Sequence, residues 1–286
     1  MDAVIDIGSN SVRLMIDRGE RVNKKILDST TLADGLALTG VLRDDAMKRT
    51  MDAVVRFVNL AKSEGADNVY VFATEAMRSA KNGAQFAIDL SSACGVKVDV
   101  VSGKDEGLLG LYGALDNDHD EITVIDIGGA SVEIVRGNRS LITYARSLPL
   151  GMVRLIDTVG SREDEIDAYV SAQITQFGIV SGHEAVAIGG TSTALASMAL
   201  GQKVYDAQQI HGYELDYDTL AYLRKKIFSS TDIRADFPTL SKNRARIIGH
   251  GAIMLQRLVE YLGVDSVRVS EHDNLEGYLL LKRLGR

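Results

Sequence analysis

The sequence predicts an α/β fold of two related lobes that face each other across a cleft, and three observations carry that prediction. Asp126-Ile127-Gly128-Gly129-Ala130-Ser131 follows the apolar run Ile122-Thr123-Val124-Ile125 and precedes Val132-Glu133-Ile134-Val135, which reads as strand, tight turn, strand. The same pattern stands 120 positions earlier as Asp6-Ile7-Gly8-Ser9-Asn10-Ser11, again between strands and followed by a turn and a further strand. Elsewhere in the first lobe, short apolar runs alternate with amphipathic stretches, which argues for a mainly parallel sheet within a lobe. One glycine turn is a common hairpin feature; two with matching surroundings argue for an internal repeat.

Each turn has the makings of an oxyanion site. Small residues let backbone N–H groups approach a phosphate closely, and successive N–H groups in a turn form an anion-binding concavity. The acid at the strand end would oppose phosphate directly, so it makes sense chiefly as the partner of a metal bound to that phosphate.

In chain order, Met1–Asp6 reads as a buried strand and Val12–Asp17 as the next. Thr30–Gly40 reads as a polar connection. Asp44–Glu64 follows as a helix with Met47, Met51, Val54, Val55 and Val58 on one face and Gly65 as its stop. Val69–Ala73 is a strand that ends in Thr74-Glu75-Ala76-Met77-Arg78, Phe86–Cys94 is a helix, and Val96–Val101 is a strand. That strand ends at Ser102-Gly103-Lys104-Asp105-Glu106, where a helix over Leu108–Leu115 begins. Asp116–Asp120 is short, polar and acidic and is expected to link the lobes, dividing the chain at 118/119 into residues 1–118 and 119–286. In the second lobe, Glu184–Ile188 is a strand ending in Gly189-Gly190-Thr191-Ser192-Thr193, a helix N-terminus and so a further anion site. Helices are expected over Asp218–Phe228, Arg244–Leu262 and Leu275–Leu284, with a strand at Val267–Val269.

Composition sets the remaining bounds. The 286 residues are 45% hydrophobic and 25% charged, ordinary for a globular protein with a sizeable core. A single cysteine, Cys94, excludes an internal disulfide and fits a reducing cytosol; it is read as a buried, inert thiol. No stretch reaches the roughly 20 apolar residues of a membrane helix, and the N-terminus lacks the basic-then-apolar pattern of an export signal, so a cytoplasmic protein with no membrane partner is expected. The net charge of −7 is uneven: residues 219–286 hold 12 Lys/Arg against 7 Asp/Glu, and the first 218 hold 20 against 32. Clusters such as Arg224-Lys225-Lys226 and Lys242-Asn243-Arg244-Ala245-Arg246 are either solvated helix faces or a track for a polyanion. His211, His250 and His272 lack metal-ligand spacing, and His119 and His183 fall in polar loops.

The motifs D-I-G-S-N-S-V-R-L, D-I-G-G-A-S-V-E and A-I-G-G-T-S-T-A resemble the phosphate and nucleoside loops of the actin, heat-shock ATPase and sugar kinase superfamily, which implies actin-like (ribonuclease H-like) lobes with mixed sheets and flanking helices. The residues between them resemble one branch, the exopolyphosphatase/guanosine pentaphosphate phosphohydrolase family. The matching stretches are Leu32-Ala33-Asp34-Gly35-Leu36, Ala73-Thr74-Glu75-Ala76-Met77-Arg78 with Asn82-Gly83, Val101-Ser102-Gly103-Lys104-Asp105-Glu106, Ser147-Leu148-Pro149-Leu150-Gly151 and His211-Gly212-Tyr213. They span nearly the whole chain in order, in the manner of the short, two-domain form.

The resemblance implies hydrolysis of a terminal phosphoanhydride with Mg2+ as helper. Gly8, Ser9, Asn10 and Ser11 would grip phosphate with Gly128, Gly129, Ala130 and Ser131, and Gly190 and Thr191 would add a third contact. Asp126, Asp6 and Glu133 would serve the metal, Arg78 would clamp a phosphate, and Glu106 would be general base for the attacking water. The substrate is inorganic polyphosphate or guanosine pentaphosphate. A weakly catalytic polyphosphate or nucleotide sensor and a kinase or ATPase of the wider superfamily are the other readings; no nucleic-acid partner is expected, and a homodimer is the commonest assembly. The chain departs from the family pattern at Ala130, Val132, Arg246, Asp273 and Leu275. Ala130 would require a negative φ.

Overall fold

The computed structural model describes residues 1–115, 120–180 and 184–285; residues 116–119 of the expected linker at 116–120, His119 among them, and His183 lie outside these. The first half runs β1 (Asp2–Ile7), β2 (Val12–Ile16), β3 (Lys25–Asp28), α1 (Leu36–Thr39), α2 (Asp44–Ser63), β4 (Asn68–Ala73), α3 (Glu75–Ser79), α4 (Gly83–Cys94), β5 (Val98–Val100) and α5 (Gly103–Ala114). The second runs β6 (Ile122–Ile127), β7 (Val132–Gly137), β8 (Ile142–Leu148), α6 (Met152–Thr158), α7 (Glu163–Ile174), β9 (Ala185–Ile188), α8 (Gly189–Ala199), α9 (Ala207–Ile210), β10 (Glu214–Asp216), α10 (Tyr217–Ser229), α11 (Ile233–Asp236), α12 (Lys242–Leu262), β11 (Ser266–Val269) and α13 (Asn274–Arg283).

The internal repeat is real. One sheet has the order β3-β2-β1-β4-β5 and the other β8-β7-β6-β9-β11-β10, so the second restates the first and adds an edge strand. The sheets are mixed rather than mainly parallel: β1, β2 and β3 pair antiparallel, while β4 and β5 add parallel. Connection length decides this. The turn at 8–11 is too short for a crossover, so β2 must fold back on β1, whereas β4 and β5 arrive after helices.

Local chemistry explains several helix starts. The side chain of Ser102 caps α5 by accepting from Asp105 N, Ser241 caps α12, and Asp273 with Glu276 forms a capping box on α13. Three expectations shift. The 30–40 connection contains α1. Arg78 stands on the short helix α3 instead of at a strand end. The buried stripe of α2 is Ala46, Thr50, Ala53, Val54, Phe57, Val58 and Ala61, so the face is turned from that drawn through Met47 and Met51, which are half-buried.

Two helices change partners. α5 follows the first sheet but packs on β6, β7 and β8 of the second, where Leu111 and Ala114 meet Val124, Val135 and Val186. α13 follows the second sheet but returns to the first: Leu275, Tyr278 and Leu279 pack with Val4, Met15 and Phe72. The rings of Phe72 and Tyr278 stack 4.6 Å apart. α5 and α13 also lie against each other, and together they bind the lobes.

Much of the basic surplus of the C-terminal segment is paired with acids of the first 218 residues. Arg224 and Arg257 pair with Asp167, Arg246 with Asp34, Lys282 with Asp99, and Arg283 with Asp2 and Asp17. These five cations therefore tie the C-terminal segment to earlier parts of the chain. Cys94 is buried. Among the described residues no helix is long and apolar enough to cross a membrane.

Candidate active site

The two repeated turns meet at the floor of the cleft between the sheets. Each is closed by the same backbone hydrogen bond, Gly8 N to Ser11 O at 3.0 Å and Gly128 N to Ser131 O at 2.9 Å. A Cβ at Gly129 would stand 2.9 Å from Ser9 Cβ, so the turns abut and glycine is needed for close approach. Thr31 and Ala33 brace the first turn by donating their N–H groups to Asn10 O and Ser9 O, which gives the Leu32–Leu36 motif its structural role. Gly8, Ser9, Asn10, Ser11, Gly128, Gly129 and Ser131 line a cleft of about 80 Å3 together with Asp6, Asp126 and Glu106.

The side chains of two expected phosphate contacts point away from the cleft. Ala130 is buried with its methyl in the apolar core shared with the first lobe. It avoids a positive φ, as expected. Thr191 is wholly buried and donates from its hydroxyl to Ile127 O at 2.8 Å, tying α8 to β6. The third turn reaches the cleft through Gly189 and Gly190 instead. Gly189 has φ 79, in the left-handed region, and a Cβ there would stand 2.7 Å from Asp126 Oδ1.

The repeats differ at the residue facing the acid. On β1 and β2 the cross-strand neighbours are Asp6 and Arg13; on β6 and β7 they are Asp126 and Glu133. Arg13 donates from Nε and Nη2 to Asp6 Oδ2 at 3.0 and 2.5 Å, so the first pair is an ion pair. The second is two buried carboxylates side by side. Burial, with neighbouring acids, pushes Asp126 up to about 7 and Glu133 up to about 8. Asn274 donates to Asp126 Oδ2 at 2.9 Å, and Glu133 Oε1 accepts from the Ser147 hydroxyl at 2.6 Å.

Glu106, near the start of α5, is 7% exposed. Burial and the Glu133 carboxylate raise its pKa, against the pull of Arg78. Arg78, expected to clamp a phosphate, here bonds two acids and a carbonyl. Its Nη1 and Nη2 each lie 3.2 Å from Glu106 Oε2, Nη2 also donates to Glu75 Oε2 at 2.5 Å, and Nη1 to Val101 O. It anchors the Glu106 carboxylate.

Sequence reasoning missed Arg13, Arg244 and Asn274. Arg244, at the start of α12, covers Gly190 so closely that a Cβ there would meet its Nη2 at 2.4 Å. Among the described residues it has no carboxylate partner, and burial with the like charge of Arg13 lowers its pKa to about 10. Arg13, seven residues after Asp6 as Glu133 is after Asp126, was visible in the repeat; Arg244 showed only as a member of the basic cluster at 242–246, and Asn274 gave no signal. A larger chamber of about 600 Å3 adjoins the cleft through Arg13, Gly189, Gly190 and Arg244.

The donor set suits Mg2+. That ion takes oxygen ligands, keeps several waters and usually uses one or two carboxylates beside substrate phosphates. Asp6 Oδ1 and Glu133 Oε2 are buried without a hydrogen-bond partner, and Asp126 opens on the cleft. Among the described residues no three His, Cys, Asp or Glu gather into a cage. His250 bonds Gly160 O at 2.7 Å and His272 bonds Arg21 O at 2.7 Å, and neither lines the cleft.

The chain is 29% identical to exopolyphosphatase 2 of Mycobacterium tuberculosis, with 97% of each chain covered. It is 28% identical to a guanosine-5'-triphosphate,3'-diphosphate pyrophosphatase of Pseudoalteromonas atlantica, of which it spans 57%. It is also 28% identical to a bifunctional 3-dehydroquinate synthase/phosphatase of Fusobacterium nucleatum, of which it spans 46%. Among solved structures, an exopolyphosphatase-like protein superposes with a TM-score of 0.89 at 28% identity over 99% of both chains. A Ppx/GppA protein of Aquifex aeolicus gives 0.81 at 27% identity over 99% of this chain and 97% of its own. The Ppx/GppA phosphatase family profile matches residues 5–284, and on that match, over a cleft built from paired glycine turns and buried acids, the chain belongs to this family.

Proposed function

We propose that the protein hydrolyses terminal phosphoanhydride bonds of inorganic polyphosphate, with Glu106 as general base. The observation that carries this reading is the placement of Glu106, buried beside two abutting phosphate turns with one oxygen held by Arg78. The N–H groups of the turns bind the non-bridging oxygens of the terminal phosphate, and Arg244 adds a cation to the same wall. Glu106 accepts a proton from water as its oxygen bonds to phosphorus. The bond from phosphorus to the bridging oxygen breaks, and its electron pair leaves with the shortened chain. Asp126, supported by Asp6 and Glu133, would hold Mg2+. The ion supplies charge neutralisation on the phosphate oxygens.

The test is orthophosphate release from long-chain polyphosphate with Mg2+. Replacement Glu106→Gln is expected to lower kcat about 100-fold or more while KM changes little. Release that is unaffected by Glu106→Gln sinks the reading, and tight polyphosphate binding without turnover would make the protein a sensor.

The 600 Å3 chamber favours guanosine pentaphosphate as a second substrate. Its volume lies within the range of small-molecule pockets. Val22, Leu27, Ala194, Tyr205 and Leu240 supply apolar wall beside the phosphate turns, where a nucleoside would have to sit. Release from both substrates, assayed side by side, decides the preference.

A further inference from the structure

Asp273 stands where the chain leaves β11 and enters α13, buried in the wall of the chamber. Its Oδ1 accepts from Leu275 N at 3.0 Å and so caps the helix. Its Oδ2 accepts from Arg13 Nη1 at 2.5 Å and lies 3.1 Å from Lys25 Nζ. The other edge of the Arg13 guanidinium is on Asp6. Lys25 is further held by Glu276 Oε2 at 3.0 Å and by the Glu271 carbonyl. The placement is rigid: a Cβ at Gly113 would stand 1.9 Å from Asp273 O, so α5 presses directly on this backbone.

Two cations that line the chamber, one of which also lines the cleft, are therefore already matched by carboxylates, whereas Arg244 in the same walls is not. The carboxylate bonded to Arg13 opposes an anion that approaches it, and in a partly buried site that opposition is poorly screened.

We infer that Asp273 is a specificity-determining charge: by adding to Asp6 at Arg13 and to Glu276 at Lys25 it weakens binding of the most highly charged phosphates and leaves Arg244 as the principal cation for the ligand. The inference rests on the cleft being a phosphate site, as proposed above. Discrimination by a like charge within the site is a recognised route to specificity, since it costs the more charged ligand more.

Asp273→Asn removes the charge while its amide oxygen can still cap Leu275 N. Binding of sodium tripolyphosphate and of orthophosphate to the full chain is measured by calorimetry with Mg2+ present, alongside Tm, with Glu106→Gln in both the wild-type-273 and variant proteins so that the ligand is not consumed. The expected result is a tripolyphosphate Kd lowered at least about fivefold, with a smaller gain for orthophosphate. Should Asp273→Asn not fold, Asp273→Ser, which also caps, carries the same measurement. A purely structural Asp273 would lower Tm and leave the ratio of the two affinities where it was. An unchanged or weakened tripolyphosphate affinity in the folded variant overturns the inference while the phosphate site stands. Wild type that binds neither anion overturns the phosphate site, and the inference with it.

Discussion

Asp126 and Glu133 show how one substitution in a repeat changes its chemistry. Both acids have folded pKa values above their ordinary values of 3.8 and 4.5, at about 7 and about 8, because they are buried among other acids. The folded state thus holds their protons more tightly than the unfolded chain does. As pH rises from about 4 to about 8, the unfolded chain loses these protons first, so metal-free protein should lose stability across that window. Thermal unfolding in chelator at pH 5 and pH 8 measures this, and Glu133→Gln should flatten the slope and raise the pH 8 Tm by about 2–4 °C. A steeper slope in that variant would refute the account. In the proposed mechanism Arg78 would be a positioning residue, and its charge pulls the Glu106 pKa down. Arg78→Gln should lower kcat about tenfold or more and move the acidic limb of the kcat/KM profile to higher pH; a loss of rate with no movement of that limb would argue against the coupling.

At the scale of elements, the exchange of α5 and α13 between the sheets was the least legible feature. The stripe of Gly107, Gly110 and Gly113 on α5 is poor helix material, yet it lets β7, the Asn274 side chain and the Asp273 backbone come close. Both helices were legible as helices, because capping and periodicity are local. The partner of each was not, because an apolar face does not name the sheet it will cover. Gly113→Ala would drive a methyl into Asp273 O, so about 2 kcal/mol or more of stability should be lost. Denaturant titration reads that loss, and a variant as stable as wild type would mean that α13 can move aside freely.

For the whole molecule, the cleft and chamber together form one continuous site between the lobes, narrow at the phosphate turns and wide beyond Arg13 and Arg244. Filling the wide end at Ala194 tests whether a nucleoside uses it. Ala194→Phe should lower kcat/KM for guanosine pentaphosphate about tenfold more than for polyphosphate, and equal losses would exclude a nucleoside in the chamber. The sequence by itself determined the two-lobe repeat and the acid–glycine turns, because a strand and a tight turn are written in neighbouring residues, whereas Glu106 was singled out by the family resemblance. Only the tertiary structure decided that Arg78 pairs with Glu106, that the side chains of Ala130 and Thr191 face the core, and that Arg244 enters the cleft with no carboxylate partner among the described residues. The Arg13–Asp273 pair joins residues 260 positions apart. A charge's role depends on which other charges burial brings within a few ångströms, and chain spacing does not encode that distance.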